Sequence, residues 1–247
     1  VAEALAADVA GAGGELRLGT TVVGLERRGG ATVVETSGGT LEASRVVVCA
    51  GVHADRLAAL SGSPAEPRIV PFRGDYLALR PERRHLVRGL VYPVPDPAFP
   101  FLGIHTTTRP DGEVWLGPNA VLALAREGYR RRDVSVRDVR DAVRSRGFRR
   151  LAREHWRTGL GEVARDLSTR RFVAAARRLL PDLDVADVAP GPSGIRAQAL
   201  APDGTLLDDF VFHEADGVLH VRNAPSPGAT SAFAIARVVV DRSDAAA

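Results

Sequence analysis

The sequence predicts a mixed α/β fold in which a partial α/β unit is interleaved with an antiparallel-sheet unit. Three observations carry this. The β-branched run Arg45-Val46-Val47-Val48-Cys49-Ala50-Gly51 ends in small residues and enters a helix, as strands buried on both faces do in α/β units. Before it lie short alternating segments punctuated by Gly29-Gly30 and Gly38-Gly39, the pattern of an antiparallel meander. After it the chain runs strand-rich, then helical, then strand-rich again before a last helix. The division that follows is 1–68, 69–190 and 191–247, with the last stretch returning to the first unit.

The first residues read as the middle of an amphipathic helix, with Val1, Leu5 and Val9 on one face, ending at Gly11 to Gly14. Because a helix seldom begins uncapped, and Val1 is not a methionine, the chain is expected to be a fragment lacking an N-terminal part. Strands are expected at Glu15–Leu18, Val22–Glu26, Ala31–Thr36 and Thr40–Ala43, then the buried run, then a helix at Ala54–Ser61. Pro64 and Pro67 mark the crossing into the second unit. Its strands are expected around Val70–Leu79, Leu90–Pro93, Phe101–Thr108 and Glu113–Gly117, with turns at Pro95-Asp96-Pro97 and Pro110-Asp111-Gly112. Ser135 and Asp138 suggest a capping box. Helices follow over Val136–Arg146, Phe148–Arg157 and Ser168–Leu180, the last stopped by Pro181. Strands at Ser193–Leu200, Thr205–His213 and Val218–Val221 precede the terminal helix.

The chain has 247 residues, 45% of them hydrophobic, enough for a sizeable core. All 33 basic charges counted with lysine are arginine, and net charge is +3. Cys49 is the single cysteine, which excludes a disulfide scaffold or a cysteine zinc cluster and suits a reducing, cytoplasmic setting. No apolar run approaches the ~18 residues of a membrane span. Twelve arginines lie between Arg126 and Arg157, but Glu127, Asp133, Asp138, Asp141 and Glu154 interleave with them and aromatics are few. That is the pattern of a solvated helical face more than of a nucleic-acid surface. Neither a G-x-G-x-x-G nor a G-x-x-x-x-G-K phosphate loop occurs, nor a G-x-S-x-G elbow, nor a grouping with zinc-ligand spacing.

Chemistry is legible in a few places. His220 to Ser231 reads as a strand and a loop pinned by Pro225 and Pro227, entering a helix at Ala232. Its small residues allow close approach to the backbone, and a helix start favours an anion or electron-rich ring edge; the alternative is an ordinary loop. Arg196, flanked by small residues in Gly194-Ile195-Arg196-Ala197-Gln198, could grip a carboxylate through two parallel hydrogen bonds or make a structural ion pair. His105, in an apolar strand, could take a proton from a hydroxyl being oxidised or be a satisfied core histidine. Tyr76, Tyr92 and Asn119 could donate into a pocket or be half-buried polar groups.

Several segments together resemble the FAD-dependent oxidases of the D-amino-acid-oxidase-like superfamily, within it the subgroup acting on L-2-hydroxyglutarate. The resemblance rests on Arg45-Val-Val-Val-Cys-Ala-Gly-Val-His-Ala-Asp-Arg56, Pro71-Phe-Arg-Gly-Asp-Tyr76, the block from Val91 to His105, and Leu116-Gly-Pro-Asn-Ala120. It continues in His155-Trp-Arg-Thr-Gly-Leu-Gly161, Gly194-Ile-Arg-Ala-Gln198 and Asn223-Ala-Pro-Ser-Pro227. It implies a DAO-like fold, with 1–68 as part of an FAD-binding domain, 69–190 as the substrate domain and 191–247 returning to the first. It places Val22 beside the FAD adenine and Cys49, Ala50 and Gly51 along the dinucleotide. Gly194, Ile195, Pro225, Gly228, Ala229, Thr230 and Ser231 would surround the flavin. Arg196 would bind the substrate α-carboxylate, Tyr76, Tyr92 and Asn119 would line its pocket, and His105 would be the base or hydroxyl-orienting residue. Arg73 would be a second cation for a five-carbon diacid. The implied reaction moves hydride from C2 of a 2-hydroxy acid to the flavin, giving 2-oxoglutarate, with oxygen or a membrane quinone as the electron acceptor. No nucleic acid or transmembrane segment is implied, and peripheral contact with the inner membrane is left open. Alternatives are an amine or amino-acid oxidase of the same superfamily and a non-catalytic binding module. The family's first βαβ unit is not in these residues, so this piece alone is expected to bind FAD poorly and to be inactive.

Overall fold

The computed structural model describes residues 1–94 and 103–245. The turn expected at Pro95-Asp96-Pro97 and the start of the strand expected at Phe101 lie outside the described residues. After α1 (Ala2–Gly11) comes an antiparallel meander of β1 (Val22–Arg28), β2 (Ala31–Thr36) and β3 (Gly39–Ala43). Its first turn is the predicted Gly29-Gly30, at φ +56° and +91°, conformations that glycine adopts without steric cost. β4 (Val46–Val48) and α2 (Ala54–Leu60) follow, as the small-residue turn requires.

The second unit is a sheet built on two long strands, β5 (Arg68–Leu79) and β9 (Val188–Leu200), paired antiparallel from Arg68↔Leu200 to Leu79↔Val188. β6 (His105–Thr108) and β7 (Val114–Gly117) extend it on one side, and the short β8 (Val121–Leu122) also pairs with β5. Helices α3 (Val136–Arg144), α4 (Arg146–Glu154), α5 (Trp156–Asp166) and α6 (Thr169–Ala176) lie between. The side chains of Ser135, Ser145 and Ser168 accept from the third residue beyond them, capping α3, α4 and α6. The largest core cluster joins Leu79, Val114, Leu116 and Val188 of the sheet to Phe172, Val173 and Ala176 of α6.

The chain then returns to the first unit. β10 (Val211–Ala215) and β11 (Val218–Asn223) form a hairpin through Asp216-Gly217, at φ +52° and +77°. β11 pairs parallel with β4, so residues 218–223 and 46–48 share one sheet across the whole intervening unit. α7 (Ala232–Ala245) closes the described fold.

Five expectations are corrected. Glu15–Leu18 is no strand: it has no cross-strand neighbour, Leu18 is exposed, and Arg17 turns back onto Glu15. The β-branched run is not buried on both faces. β4 pairs on one edge with β11 alone among the described strands, and Val47 is exposed while Val48 is buried. Leu90–Pro93 contributes only the bridge Val91↔Thr106, and Thr205–His213 becomes a strand only from Val211. The helix expected at Phe148–Arg157 breaks at His155, whose backbone leaves helical geometry, and α5 starts afresh.

Candidate active site

β5 and β9 set the site's geometry. In an antiparallel pair, directly opposed residues face the same side. Arg196 is opposite Phe72 and Gly194 is opposite Gly74, so these four share a face, with Gln198 two residues along. That face opens on a cavity of about 360 Å³. Its walls include Phe72, Tyr76, Asn119, Arg196, Gln198, Pro225 and Ser226. The arginine and the proline-pinned loop expected to converge therefore line one hollow. Gly74 is required there: a Cβ would stand 2.6 Å from Pro118 Cβ and 2.9 Å from the Asn119 carbonyl. Burial pushes the Arg196 guanidinium below its ordinary value, with Tyr76 opposing. The Arg196 residue is still solvent-exposed, and an entering carboxylate would stabilise its charge. The Tyr76 phenol is raised by burial and so stays a protonated donor.

The other expected pocket residues divide. Asn119 lines the cavity, but its amide oxygen accepts from Asp75 N at 2.7 Å and its NH₂ donates to Asp166 at 3.0 Å. Its first task is to hold the turn after β7. Arg73 is buried and is among the residues lining the cavity, though register places it opposite Ile195, on the alternate face of the strand pair from Arg196. Its Nε donates to Asp75 at 3.1 Å and its Nη2 to Asp166 at 3.2 Å, so its charge is matched by carboxylates. Arg131 reaches Asp166 from the loop before α3 at 3.0 Å. This cluster underlies the cavity floor and was missed in the sequence, because its partners are up to 93 residues apart. Within it Asp75 is raised to about 6, first by burial and then by its hydrogen bond with Asp166, against the pull of Arg73. The Asp166 carboxyl is lowered: burial opposes this, but hydrogen bonds from Asp75 and Asn119 and the charges of Arg131 and Arg73 outweigh it.

His105 does not line this cavity. It stacks on Tyr92, ring centroids 4.4 Å apart and planes 20° apart, and its Nδ1 meets the Gly103 carbonyl at 3.3 Å. Burial lowers its pKa, aided by the Arg196 charge and opposed by the Gly103 bond. The Arg196 field thus reaches His105, which is neutral at neutral pH. Tyr92 is more than half exposed.

A second, apolar hollow of about 550 Å³ lies between the ends of β4 and β11 and the face of α7. It is lined by Cys49, Gly51, Arg222, Asn223, Ala224 and Gly228, among others, and shares Ala197, Asn223 and Ala224 with the first cavity. Glycines, alanines and Cys49 share its lining with valines and isoleucines, and a Cβ at Gly51, where φ is +50°, would meet no atom within 4 Å. These features fit the ring and linker of a large flat cofactor. Ile195 and Gly194 line the first cavity instead, Pro225 lines it too, and Ser231 faces a third hollow behind the loop. Val22 and Ala50 pack on the core cluster of Leu25, Val48 and Val218. Ala229 and Thr230 are exposed. The helix-start donors are partly committed, since Ser231 N–H bonds the Pro227 carbonyl and Ala232 N–H that of Ala229. Arg222, also missed, is fully buried and gives its guanidinium to the carbonyls of Pro64, Ala65 and Pro67. Among the described residues no group of three His, Cys, Asp or Glu could hold a metal, and no helix is long and apolar enough to cross a membrane.

This arrangement has counterparts of known chemistry. The chain is 54% identical over 216 residues to the mitochondrial L-2-hydroxyglutarate dehydrogenase of Nematostella vectensis, covering 85% of this chain and 47% of that protein. It is 48% identical over 214 residues to that of Homo sapiens (85% and 46%). Against the L-2-hydroxyglutarate dehydrogenase of Escherichia coli K12 the figures are 45% over 231 residues, 93% and 55%. The chain spans about half the length of the curated relatives it matches. Among solved structures, an L-α-glycerophosphate oxidase from Mycoplasma pneumoniae with FAD bound superposes with TM-score 0.63 at 19% identity, over 90% of this chain and 49% of that one. A glycine oxidase from Geobacillus kaustophilus gives TM-score 0.55 at 22% identity, over 97% and 53%. These two share the fold. The model of the DAO family, FAD dependent oxidoreductase, matches residues 1–242. Two adjoining hollows, one lined by Arg196 and one lined by Cys49, Gly51 and Gly228, sit on a chain that belongs to the FAD dependent oxidoreductase family.

Proposed function

We propose that this chain supplies the substrate cavity and one wall of the cofactor groove of an FAD-dependent dehydrogenase that oxidises L-2-hydroxyglutarate to 2-oxoglutarate. The observation that carries this is the placing of Arg196 and the Pro225-Ser226 turn in one cavity that shares Ala197, Asn223 and Ala224 with the groove. The names of the relatives supply the substrate. Residues 1–68 and 191–247 would form the cofactor side and 69–190 the substrate side, joined through β9.

In this reading Arg196 holds the C1 carboxylate of the substrate, and Tyr76 donates a hydrogen bond to it or to the C2 hydroxyl. The Pro225-Ser226 turn then limits how the C2 carbon approaches the groove, which is the alignment that hydride transfer needs. FAD, when bound in the groove, supplies the two-electron acceptor. His105 stands outside the cavity lining, so it would take the hydroxyl proton at Nε2 only through an intervening group such as a water. A hydrogen bond to the Gly103 carbonyl requires the proton on Nδ1, and this leaves the lone pair on Nε2. A lone cysteine suits a cytoplasmic setting, while the names of the animal relatives are mitochondrial.

The test is turnover of purified holoprotein with L-2-hydroxyglutarate and an artificial electron acceptor, beside the same assay with amino acids. Turnover of the hydroxy acid alone is expected, and Arg196→Ala should raise KM by about tenfold to a hundredfold. Turnover of amino acids in its place would overturn the proposal, as would a wild-type KM in the variant.

A further inference from the structure

Gln198 lines the substrate cavity from the same face of β9 as Arg196, about 7 Å along the strand, and is only 8% exposed. Its Nε2 donates to the carbonyls of Ala199 and Leu207, at 3.2 Å each. Carbonyls only accept, so the nitrogen must face them, and both amide hydrogens are spent. Neither carbonyl depends on this donor. Leu207 N–H also bonds the Ala199 carbonyl at 3.0 Å, and Asn223 Nδ2 bonds the Leu207 carbonyl at 3.2 Å. The amide is therefore clamped in one orientation without being needed to satisfy the backbone. Among the described residues no donor meets its Oε1, and that atom is not sealed from solvent, so it opens on the cavity. Beside the Arg196 cation stands a fixed acceptor that cannot donate.

Its neighbours on the cavity wall offer the opposite or are already engaged. Arg196 donates, Tyr76 stays protonated, and Asn119 has spent its amide on Asp75 and Asp166. A ligand gripped by its carboxylate at Arg196 brings its next carbon toward the Gln198 oxygen. An acceptor there welcomes an O–H group, whereas a ketone oxygen meets it with like partial charge and no hydrogen to share. We propose that Gln198 Oε1 accepts a hydrogen bond from the C2 hydroxyl of the bound 2-hydroxy acid and thereby distinguishes the alcohol substrate from its 2-oxo product. The proposal rests on the dehydrogenase reading and deepens it. The hydroxyl makes a bond on the Gln198 side that the ketone formed from it cannot make, so the site favours release of the product. The contact fixes the hydroxyl rotamer about C2. The hydroxyl proton still passes to His105 through the intervening group, since a neutral amide takes none.

The test compares three ligands of the holoprotein, with ferricyanide as the electron acceptor: L-2-hydroxyglutarate, 2-oxoglutarate, and glutarate, which carries only CH₂ at C2. Gln198→Met keeps the length of the side chain and removes the acceptor. It should raise KM for L-2-hydroxyglutarate about tenfold. Ki for glutarate should stay unchanged, because that ligand has nothing at C2 for the amide to meet. The ratio of Ki for 2-oxoglutarate to Ki for glutarate should fall about threefold or more, since the ketone no longer faces an opposing oxygen. Gln198→Asn keeps the amide but draws it back by one methylene. It should move both quantities in the same direction, and it decides the matter if the Met variant does not fold. A KM or a Ki ratio indifferent to both variants overturns the proposal. So does a glutarate Ki that rises in step with KM, which would mark Gln198 as a structural support of Arg196. Turnover of amino acids in place of the hydroxy acid would instead count against the dehydrogenase reading, while the Ki ratio, measured against that substrate, would still decide whether Gln198 faces C2.

Discussion

His220 is the clearest case of a residue whose chemistry follows from where the chain puts it. It is buried on β11, its Nε2 meets the Ser61 hydroxyl at 2.8 Å, and its Nδ1 has no hydrogen-bond partner among the described residues. Burial, followed by Arg222 and His213, lowers its pKa to about 4. Between that value and an unfolded value near 6.5 the unfolded chain binds more protons, so stability rises with pH through this window and is lost as pH falls. His220→Gln should flatten the dependence of Tm on pH between 4 and 6.5; an unchanged slope would contradict the assignment. Asp75 has the opposite sign. Its folded value of about 6 exceeds the usual carboxylate value, so its protonated form is favoured by folding and its contribution declines as pH rises from 4 to 6. Asp75→Asn should remove that decline at little cost at pH 7. Asp166→Asn, which leaves Arg73 buried without its main counter-charge, should cost about 3–5 kcal/mol in denaturant unfolding. Equal effects from the two substitutions would show that the pair is not asymmetric. None of this was legible residue by residue. Arg73, Asn119 and Tyr76 read as candidate pocket groups, but which of them is spent on structure depends on Asp166, which reaches the cluster only through the packing of α5.

At the scale of elements, the long antiparallel pair β5 and β9 does most of the positioning, because its register fixes which side chains face the cavity. The sequence showed Arg196 only as an arginine flanked by small residues; the partner strand that fixes its face lies more than a hundred residues earlier. A second tie holds α2 to the substrate unit. Asp55 is buried at the start of α2, accepts from both Nη atoms of Arg126, and also accepts from Ile69 N at 3.2 Å at the start of β5. Arg56 beside it reaches Asp138 and Asp141 of α3. Asp55→Ala would strand a buried guanidinium and should lower unfolding stability by about 3–5 kcal/mol. Thermal unfolding followed by circular dichroism checks this, and a loss below 1 kcal/mol would mean that the tie carries no strain-bearing role. The small-residue turns, helix caps and hairpins were readable because each is decided within four residues. The edge position of β4 and the break at His155 were not, since strand neighbours and helix packing decide them.

At the scale of the whole molecule, the described residues set several hollows around one loop. The substrate cavity lies on the β5–β9 face, the apolar groove lies along α7, and Asn223 to Ser231 runs between them. The chain's order, with strands 46–48 and 218–223 side by side across an inserted sheet, brings Arg196 and Ser226 together although no local signal links them. Family resemblance anticipated that meeting; composition and periodicity alone predicted only the mixed fold. The most direct measurement is a crystal structure of the holoprotein with 2-oxoglutarate. The predicted result is a carboxylate of the ligand about 2.9 Å from the Arg196 guanidinium, with its C2 carbon toward the groove lined by Cys49, Gly51 and Gly228. A ligand bound elsewhere, with Arg196 held by a protein carboxylate, would contradict the account.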